Sequence, residues 1–355
     1  MEEILSVHNI KVTNENNNAF QLIVHGEEFF PQRIQVQLPG EQSFSMIRRK
    51  EINRFYLGQE LLDLAMMSAY YLNIPAFTSH IQRRGKEISV ISVHHSSTPS
   101  PYIGDNNPYK NTQKLLGADL EVMARKRING SFVAIPVSDV SQEQIGVDRA
   151  LLRKGNKFFQ PIIELRARPQ ETGLKLQREF LRLKKALENR AVKNQLNIVA
   201  EENPKGRFLL GGHIHISNER PSYRKVALLD ALIALPFSCK YEHTNPSRRQ
   251  SFGRLGAVRI NSFNGFEYRT LPTWYKFIDD GETFFRWLEI VFLNEKIPFV
   301  TIPPEAIRAY YSEEKKVLQR EVIKIFSGIQ EFLTHKEKEV MKNWLRWLDI
   351  PYTID

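Results

Sequence analysis

Cysteine is nearly absent from this chain: Cys239 stands alone among 355 residues. That excludes an intramolecular disulfide framework and any thiolate-rich zinc or iron–sulfur site, and it suits a reducing compartment. Long apolar runs are missing too. The longest, VALLDALIALPF from Val226, is broken by Asp230 and is too short to span a bilayer. The amino terminus, MEEILSVHNIKV, carries acids where a signal peptide carries basic residues, and no apolar core follows them. These absences predict a cytoplasmic protein that does not enter a membrane by its own chain. No Ser-His-Asp or Cys-His arrangement is evident, so a covalent nucleophile is not expected. No internal repeat stands out.

What is present is ordinary in bulk. An apolar fraction of 42% and a charged fraction of 25% describe a globular protein rather than a disordered one. The length allows two domains, or one large and one small, around a sizeable core. A formal charge of +10 fits either a polyanionic partner or a site for a multiply charged phosphate ligand, and does not choose between them.

Residues 1–95 alternate apolar and polar positions in short runs (FQLIVHG, RIQVQLPG, ISVISVHH) bounded by Gly, Pro and Asn, which predicts strands. Between them Leu61, Leu62, Ala65, Met66 and Ala69 follow a helical spacing that stops before Pro75. A small mixed α+β domain of unknown role is expected there. Residues 96–113, SSTPSPYIGDNNPYKNTQ, have the composition of a linker. The second domain is expected over 114–355, with a basic amphipathic helix from Glu171 to about Gln195 and a helix over VALLDALIAL ending at Pro236. The remainder from about Gly281 reads as helical, and its last helix has a capping box, Thr334 with Glu337. Trp344, Leu345 and Trp347 are expected to pack on the body of the protein.

Charged residues recur at alternate positions on strand-like runs of this second domain. GADLEV carries Asp119 and Glu121; PIIELR carries Glu164 and Arg166; GGHIHIS carries His213 and His215. GRLGAVRINSFNGFEYRTL carries Arg254, Arg259, Glu267 and Arg269. Each piece alone has a plain reading: a His-x-His pair with ordinary hydrogen bonds, acids facing water, a cross-strand ion pair. Accumulation changes this. A sheet that turns carboxylates, histidines and arginines to one face is costly unless something neutralises them, and metal ions with an anionic ligand would do so. Carboxylates with an imidazole and no thiolate form a hard site suited to Mg2+ or Mn2+. Arginine forks beside it match phosphate oxygens two at a time. A metal–nucleotide complex is the expected ligand, and without a Walker A motif or a Gly-x-Gly-x-x-Gly turn in this region the sheet itself must hold it.

The run GRLGAVRINSFNGFEYRTLPTW resembles the C-terminal signature of the glutamine synthetase and glutamate-cysteine ligase superfamily, Arg-x4-Arg followed by Glu-x-Arg. GGHIHIS resembles its Gly-x-His-x-His strand and GADLEV its first metal strand, in the same order along the chain. Among the branches, the motifs are most similar to the COOH-NH2 ligase family (type 2) first noted in phage genomes, over roughly residues 115–280. The resemblance implies an α+β fold: a glutamine synthetase-like catalytic domain with an antiparallel sheet lining the active site and helices behind it, plus the small N-terminal domain and a helical C-terminal region. It implies ATP-dependent amide bond formation through an acyl phosphate, with ATP and Mg2+ (or Mn2+) as cofactors. Asp119, Glu121, Glu164, His213 and Glu267 would be metal ligands. Arg254, Arg259 and Arg269 would hold the nucleotide phosphates, the phosphoryl group in transfer or the substrate carboxylate. Arg166 and His215 join the cofactor-binding set, His215 either orienting its neighbour or touching substrate. Asp148 in GVDRA is the candidate base. The glycines before the histidines are expected to leave room for a ligand.

The substrates implied are a carboxylate and an amine, the latter of an amino acid, peptide or protein, because no counterpart of an ammonium-binding loop is found. Oligomeric state is not legible. Three rivals remain: a phosphoryl transferase of the same fold acting on guanidino groups, a basic nucleic-acid- or protein-binding module, and a non-catalytic scaffold. The nucleic-acid case rests on RRKEINR and on Lys175, Arg178, Arg182 and Lys185, but lacks interleaved aromatics, so a solvated helix face is the expected reading. No key metal or arginine position is missing, which argues against the scaffold.

Overall fold

A computed structural model describes residues 1–352 apart from 16–17, 97–112, 129–130, 135–143, 149, 155, 202, 205–207, 241–245 and 262–263. The boundary expected at 96–113 therefore lies almost wholly outside the described residues.

The alternating runs of the first region form an antiparallel sheet from β1 (Phe20–Glu27), β2 (Phe30–Gln37), β3 (Ser45–Ile47), β4 (Ala76–Arg84) and β5 (Glu87–His95), in the order β3-β2-β1-β4-β5. Helix α1 (Gly58–Tyr71) lies across β1, β4 and β5. Its predicted stripe, Leu61, Leu62, Ala65, Met66 and Ala69, is buried. Strand β4 escapes the sequence reading because it is rich in polar residues. Neighbouring strands satisfy them: His80 bonds Gln21 at 2.6 Å and Thr78 bonds His25 at 2.9 Å.

The second sheet is built on β6 (Leu115–Ile128), which is 14 residues long. Around it lie β7 (Ser131–Ala134), β8 (Ile145–Val147), β9 (Ile162–Gln170), β10 (Asn197–Val199), β11 (Gly212–Ser217), β12 (Val258–Ile260) and β13 (Phe266–Tyr268). The order is β12-β13-β11-β6-β9-β8, every pairing is antiparallel, and β7 and β10 both pair with β6. Leu120, Val122, Ile163, Leu165, Ile214, Ile216 and Phe266 are buried on the side away from the charged residues.

Helix α2 (Gly173–Lys193) covers β9, capped by Thr172, whose Oγ1 accepts the Lys175 N–H at 3.3 Å. Leu176, Phe180, Leu183 and Leu187 are its buried stripe. At ~1.5–3 kcal/mol each, these four side chains contribute about 6–12 kcal/mol of apolar transfer energy before entropy is subtracted. Phe180 meets Trp274 edge to face at 4.7 Å. Lys175, Arg178, Arg182 and Lys185 point to solvent; Lys175 pairs with Glu171 just before the cap and Arg182 with Glu179 of the helix.

The helix over VALLDALIAL does not stop at Pro236. It runs as α3 (Tyr223–Leu229), a π-helical turn (Asp230–Ala234) and α4 (Leu235–Ser238). Pro236 has no N–H to offer the carbonyl of Leu232, and that carbonyl instead accepts the Trp287 indole N–H at 2.9 Å. The C-terminal helices α5 (Pro246–Ser251), α6 (Glu282–Leu293), α7 (Pro304–Ser312), α8 (Lys315–Ile329) and α9 (His335–Trp347) follow, the last with both halves of its Thr334–Glu337 capping box. Trp344 and Leu345 are fully buried.

One buried cluster runs through both regions. At their junction the carboxylate of Asp230, wholly buried, accepts Tyr70 at 2.8 Å, Tyr268 at 2.6 Å and the Gly256 N–H at 2.9 Å.

Candidate active site

Residues directly opposite each other across an antiparallel pair share a face of the sheet. Register therefore decides which charged side chains meet. Asp119 of β6 lies opposite Arg166 of β9 on one side and His213 of β11 on the other. Glu121 lies opposite Glu164. Glu267 of β13 lies between His215 of β11 and Arg259 of β12. All of these stand on one face, opposite the apolar layer.

Three of the five expected metal ligands converge. His213 Nδ1 is 2.9 Å from Asp119 Oδ1 and 3.0 Å from Glu267 Oε1. Both oxygens are buried, and the three atoms lie close enough together to be offered to one ion. Adjacent ligands of a divalent ion with bonds of ~2.1 Å sit about 3 Å apart, so the spacing and the hard donor set fit Mg2+ or Mn2+. Among the described residues, this trio is the group whose ligand atoms lie within 4.8 Å of one another.

Glu121 and Glu164 flank the trio with other partners: Glu121 Oε2 accepts the Gly211 N–H at 2.7 Å, and Glu164 pairs with Arg166. His215 Nε2 is 3.0 Å from Asp119 Oδ2, which leaves Oδ1 for the shared point. Asp148 lies beyond β8, and its Oδ2 accepts the Ala150 N–H at 3.0 Å.

The electrostatics are those of crowded acids around one imidazole. Burial works to lower the His213 pKa, but the charge of Asp119, with Glu267 and Glu121 near, holds it up at about 10. Burial likewise opposes ionisation of Asp119 and Glu267. The two histidines nevertheless keep Asp119 well below the usual carboxylate range, and His213 with Arg259 holds Glu267 at about 2. Burial pushes Glu121 up, and it takes Glu164 to about 7, helped by the Asp119 charge and against the pull of Arg166.

The arginines divide into two groups. Arg259 donates from Nε and Nη2 to Glu267 Oε2 at 2.9 and 2.5 Å, while half of its side chain stays exposed. Arg269 Nε lies 3.2 Å from Glu267 Oε1. Arg254 donates to the Gln250 carbonyl at 2.6 Å and, with Arg269, lines a cavity beside the sheet.

Two local features differ from the sequence reading or were missed by it. Glycines 211 and 212 do not leave room for a ligand. A Cβ on Gly212 would lie 2.3 Å from Trp274 Nε1, and one on Gly211 2.6 Å from His213 Nε2, so the protein's own rings fill that space. Arg248 is almost fully buried and was not singled out. Its guanidinium donates to the carbonyls of Leu210 at 3.1 Å, Thr270 at 2.8 Å and Leu271 at 2.5 Å, tying the entry to β11 to the segment after Arg269. In SRRQS it looks like any surface arginine; only the convergence of four carbonyls, that of Arg269 at 3.4 Å included, reveals it.

The antiparallel sheet thus gathers a hard-donor cluster and arginines on one face. The chain belongs to the phage phiEco32-like COOH.NH2 ligase type 2 family, which matches residues 116–348 and so includes every residue of this face. It is thus a carboxylate–amine ligase by family, and residues 1–115 lie outside the match. A Plasmodium falciparum glutamine synthetase structure solved by cryo-electron microscopy is similar over 83% of this chain and 78% of its own, at 9% identity and a TM-score of 0.34. None of the curated proteins matches the sequence. Among the described residues no helix is long and apolar enough to cross a membrane.

Proposed function

We propose that the protein is an ATP-dependent ligase that activates a carboxylate as its acyl phosphate and joins it to an amine. The observation that carries the reading is the meeting of Asp119, His213 and Glu267 at one point, with Arg259 and Arg269 on the same carboxylate. Asp119, His213 and Glu267, with Glu121 and Glu164 beside them, would hold Mg2+ or Mn2+, which when bound neutralises phosphate oxygens. Arg259, half exposed, keeps donors free for a phosphate while Glu267 fixes its direction. Arg269 takes the transferring phosphoryl group or the substrate carboxylate, and Arg254 lines the cavity beside it. His215 holds Asp119 in orientation. Arg248 positions Arg269 from behind without touching ligand. The amine belongs to an amino acid, peptide or protein, and the reaction takes place in the cytoplasm.

The test supplies ATP, Mg2+ and pooled carboxylates with hydroxylamine as a generic amine. Equal amounts of ADP, inorganic phosphate and hydroxamate are expected. Phosphate retained on a nitrogen acceptor instead would establish the phosphoryl transferase.

A further inference from the structure

A cavity of about 630 Å³ lies between the N-terminal region and the segment that carries the arginines. That is within the ~300–1,000 Å³ typical of small-molecule sites. One side is formed by Ile10, Gln59, Glu60, Asp63, Leu64 and Met67, all outside the residues the family matches. The other side holds Phe252, Val258, Arg254 and Arg269. Two features make it a recognition site rather than a packing gap.

First, opposite charges border it without closing on each other. Asp63 Oδ1 accepts Gln59 Nε2 at 2.7 Å, Arg254 donates to Gln250, and Arg269 leans on Glu267. Among the described residues no ion pair joins Asp63 or Glu60 to either arginine. At the rim Lys11 and Glu87 pair with each other, which leaves the net contrast to α1 and the arginines. Second, Arg269 belongs to both places, touching Glu267 of the metal cluster and lining the cavity. A ligand here would share Arg269 with the metal cluster.

Acids on one side, arginines on the other and aliphatic side chains between describe a zwitterion with a short apolar body. We propose that this cavity is the amine-substrate subsite and takes an amino-acid-like amine, its ammonium on Asp63 with Glu60 near, its anionic group on Arg254 and its body against Leu64 and Met67. The assignment rests on the ligase reading and names the class of its second substrate. Asp63 takes one ammonium proton and frees the nitrogen lone pair. The C–N bond then forms as the acyl carbon–oxygen bond to phosphate breaks, the phosphate leaves with that electron pair, and the second proton leaves with it. Burial raises the Asp63 carboxyl to about 6, against hydrogen bonding from Gln59 and the field of Arg269, which makes it ionised yet basic near neutrality.

The experiment is calorimetric titration of the intact protein, loaded with Mn2+ and a non-hydrolysable ATP analogue, with each protein amino acid. The best binder is followed by its decarboxylated amine and its deaminated acid. An amino acid should bind, and removing either charged group should weaken it at least tenfold. Asp63→Asn should lose the amino acid at least tenfold yet bind the deaminated acid and the ATP analogue as the native protein does, which also reports that the variant is folded. Glu60→Gln, at an exposed position, should weaken the amino acid several-fold. The subsite is overturned if the ATP analogue binds but no amino acid does, or if Asp63→Asn binds the amino acid unchanged. If the ATP analogue itself fails to bind, the ligase reading falls and the subsite with it.

Discussion

If Asp119, His213 and Glu267 are metal ligands, the ion must stabilise the folded chain by an amount their geometry grades. An ion at one hundred times its Kd adds about 2.7 kcal/mol to folding. Unfolding entropy near 2.1 cal/mol/K per residue, over 355 residues, is about 0.75 kcal/mol/K, so the native melting temperature should rise by about 4 °C. His215 does not reach the shared point; it fixes Asp119 through Oδ2 at 3.0 Å. Losing such an outer partner costs ~10–100-fold in affinity, and tenfold for His215→Ala would leave a rise of about 2 °C at the same ion concentration. Asp119→Ala removes a charged ligand outright, and a loss of about 100-fold or more would leave at most about 0.5 °C. Scanning calorimetry of the three proteins with and without Mn2+ reads the series. An unchanged rise in Asp119→Ala would show that the ion binds elsewhere, and no rise in the native protein at millimolar Mn2+ would refute the metal site altogether.

Gly212→Ala should destabilise the protein by about 1–3 kcal/mol through overpacking against Trp274, read as a lower urea midpoint; an unchanged midpoint would mean that the indole moves aside freely. Burial raises the Asp230 carboxyl to about 7 despite Tyr268, Gly256 and Tyr70. The folded state then holds a proton that the unfolded chain has released, so this group's contribution is full below about pH 4 and is lost as pH rises through about 7. Urea midpoints at pH 5 and 8 should therefore differ more in the native protein than in Asp230→Asn, and an equal difference would count against the raised carboxyl. Trp287→Phe strands the Leu232 carbonyl that Pro236 cannot satisfy and should cost about 1–3 kcal/mol in the same denaturation assay, whereas no loss would mean that another donor replaces the indole.

Local order was legible because it follows short periods. Alternation of two assigned Asp119 and Glu121, and His213 and His215, to one face, and spacing of three to four laid out the buried stripes of α1 and α2. The motifs and their order led to the family, since they are linear. Strand β4 was hidden because its polar residues are satisfied by distant segments: Thr78 and His80 by β1, more than fifty residues earlier, Ser79 by the Ala65 carbonyl and Gln82 by Thr13 and Asn14. The run through Pro236 was hidden because the substitute donor, Trp287, comes from another helix.

The sequence by itself determined which residue types would share a face and what chemistry they suit. Tertiary structure alone decided which of five candidate ligands meet, because residues 119, 213 and 267 are neighbours only through the β6–β11 and β11–β13 registers. It also decided that Arg248 is a buried clamp, that the two glycines serve Trp274 and His213, and that Asp63 faces the arginines across a cavity. Each of these depends on a pairing between distant segments, where packing and hydrogen bonding act through space and leave no period along the chain.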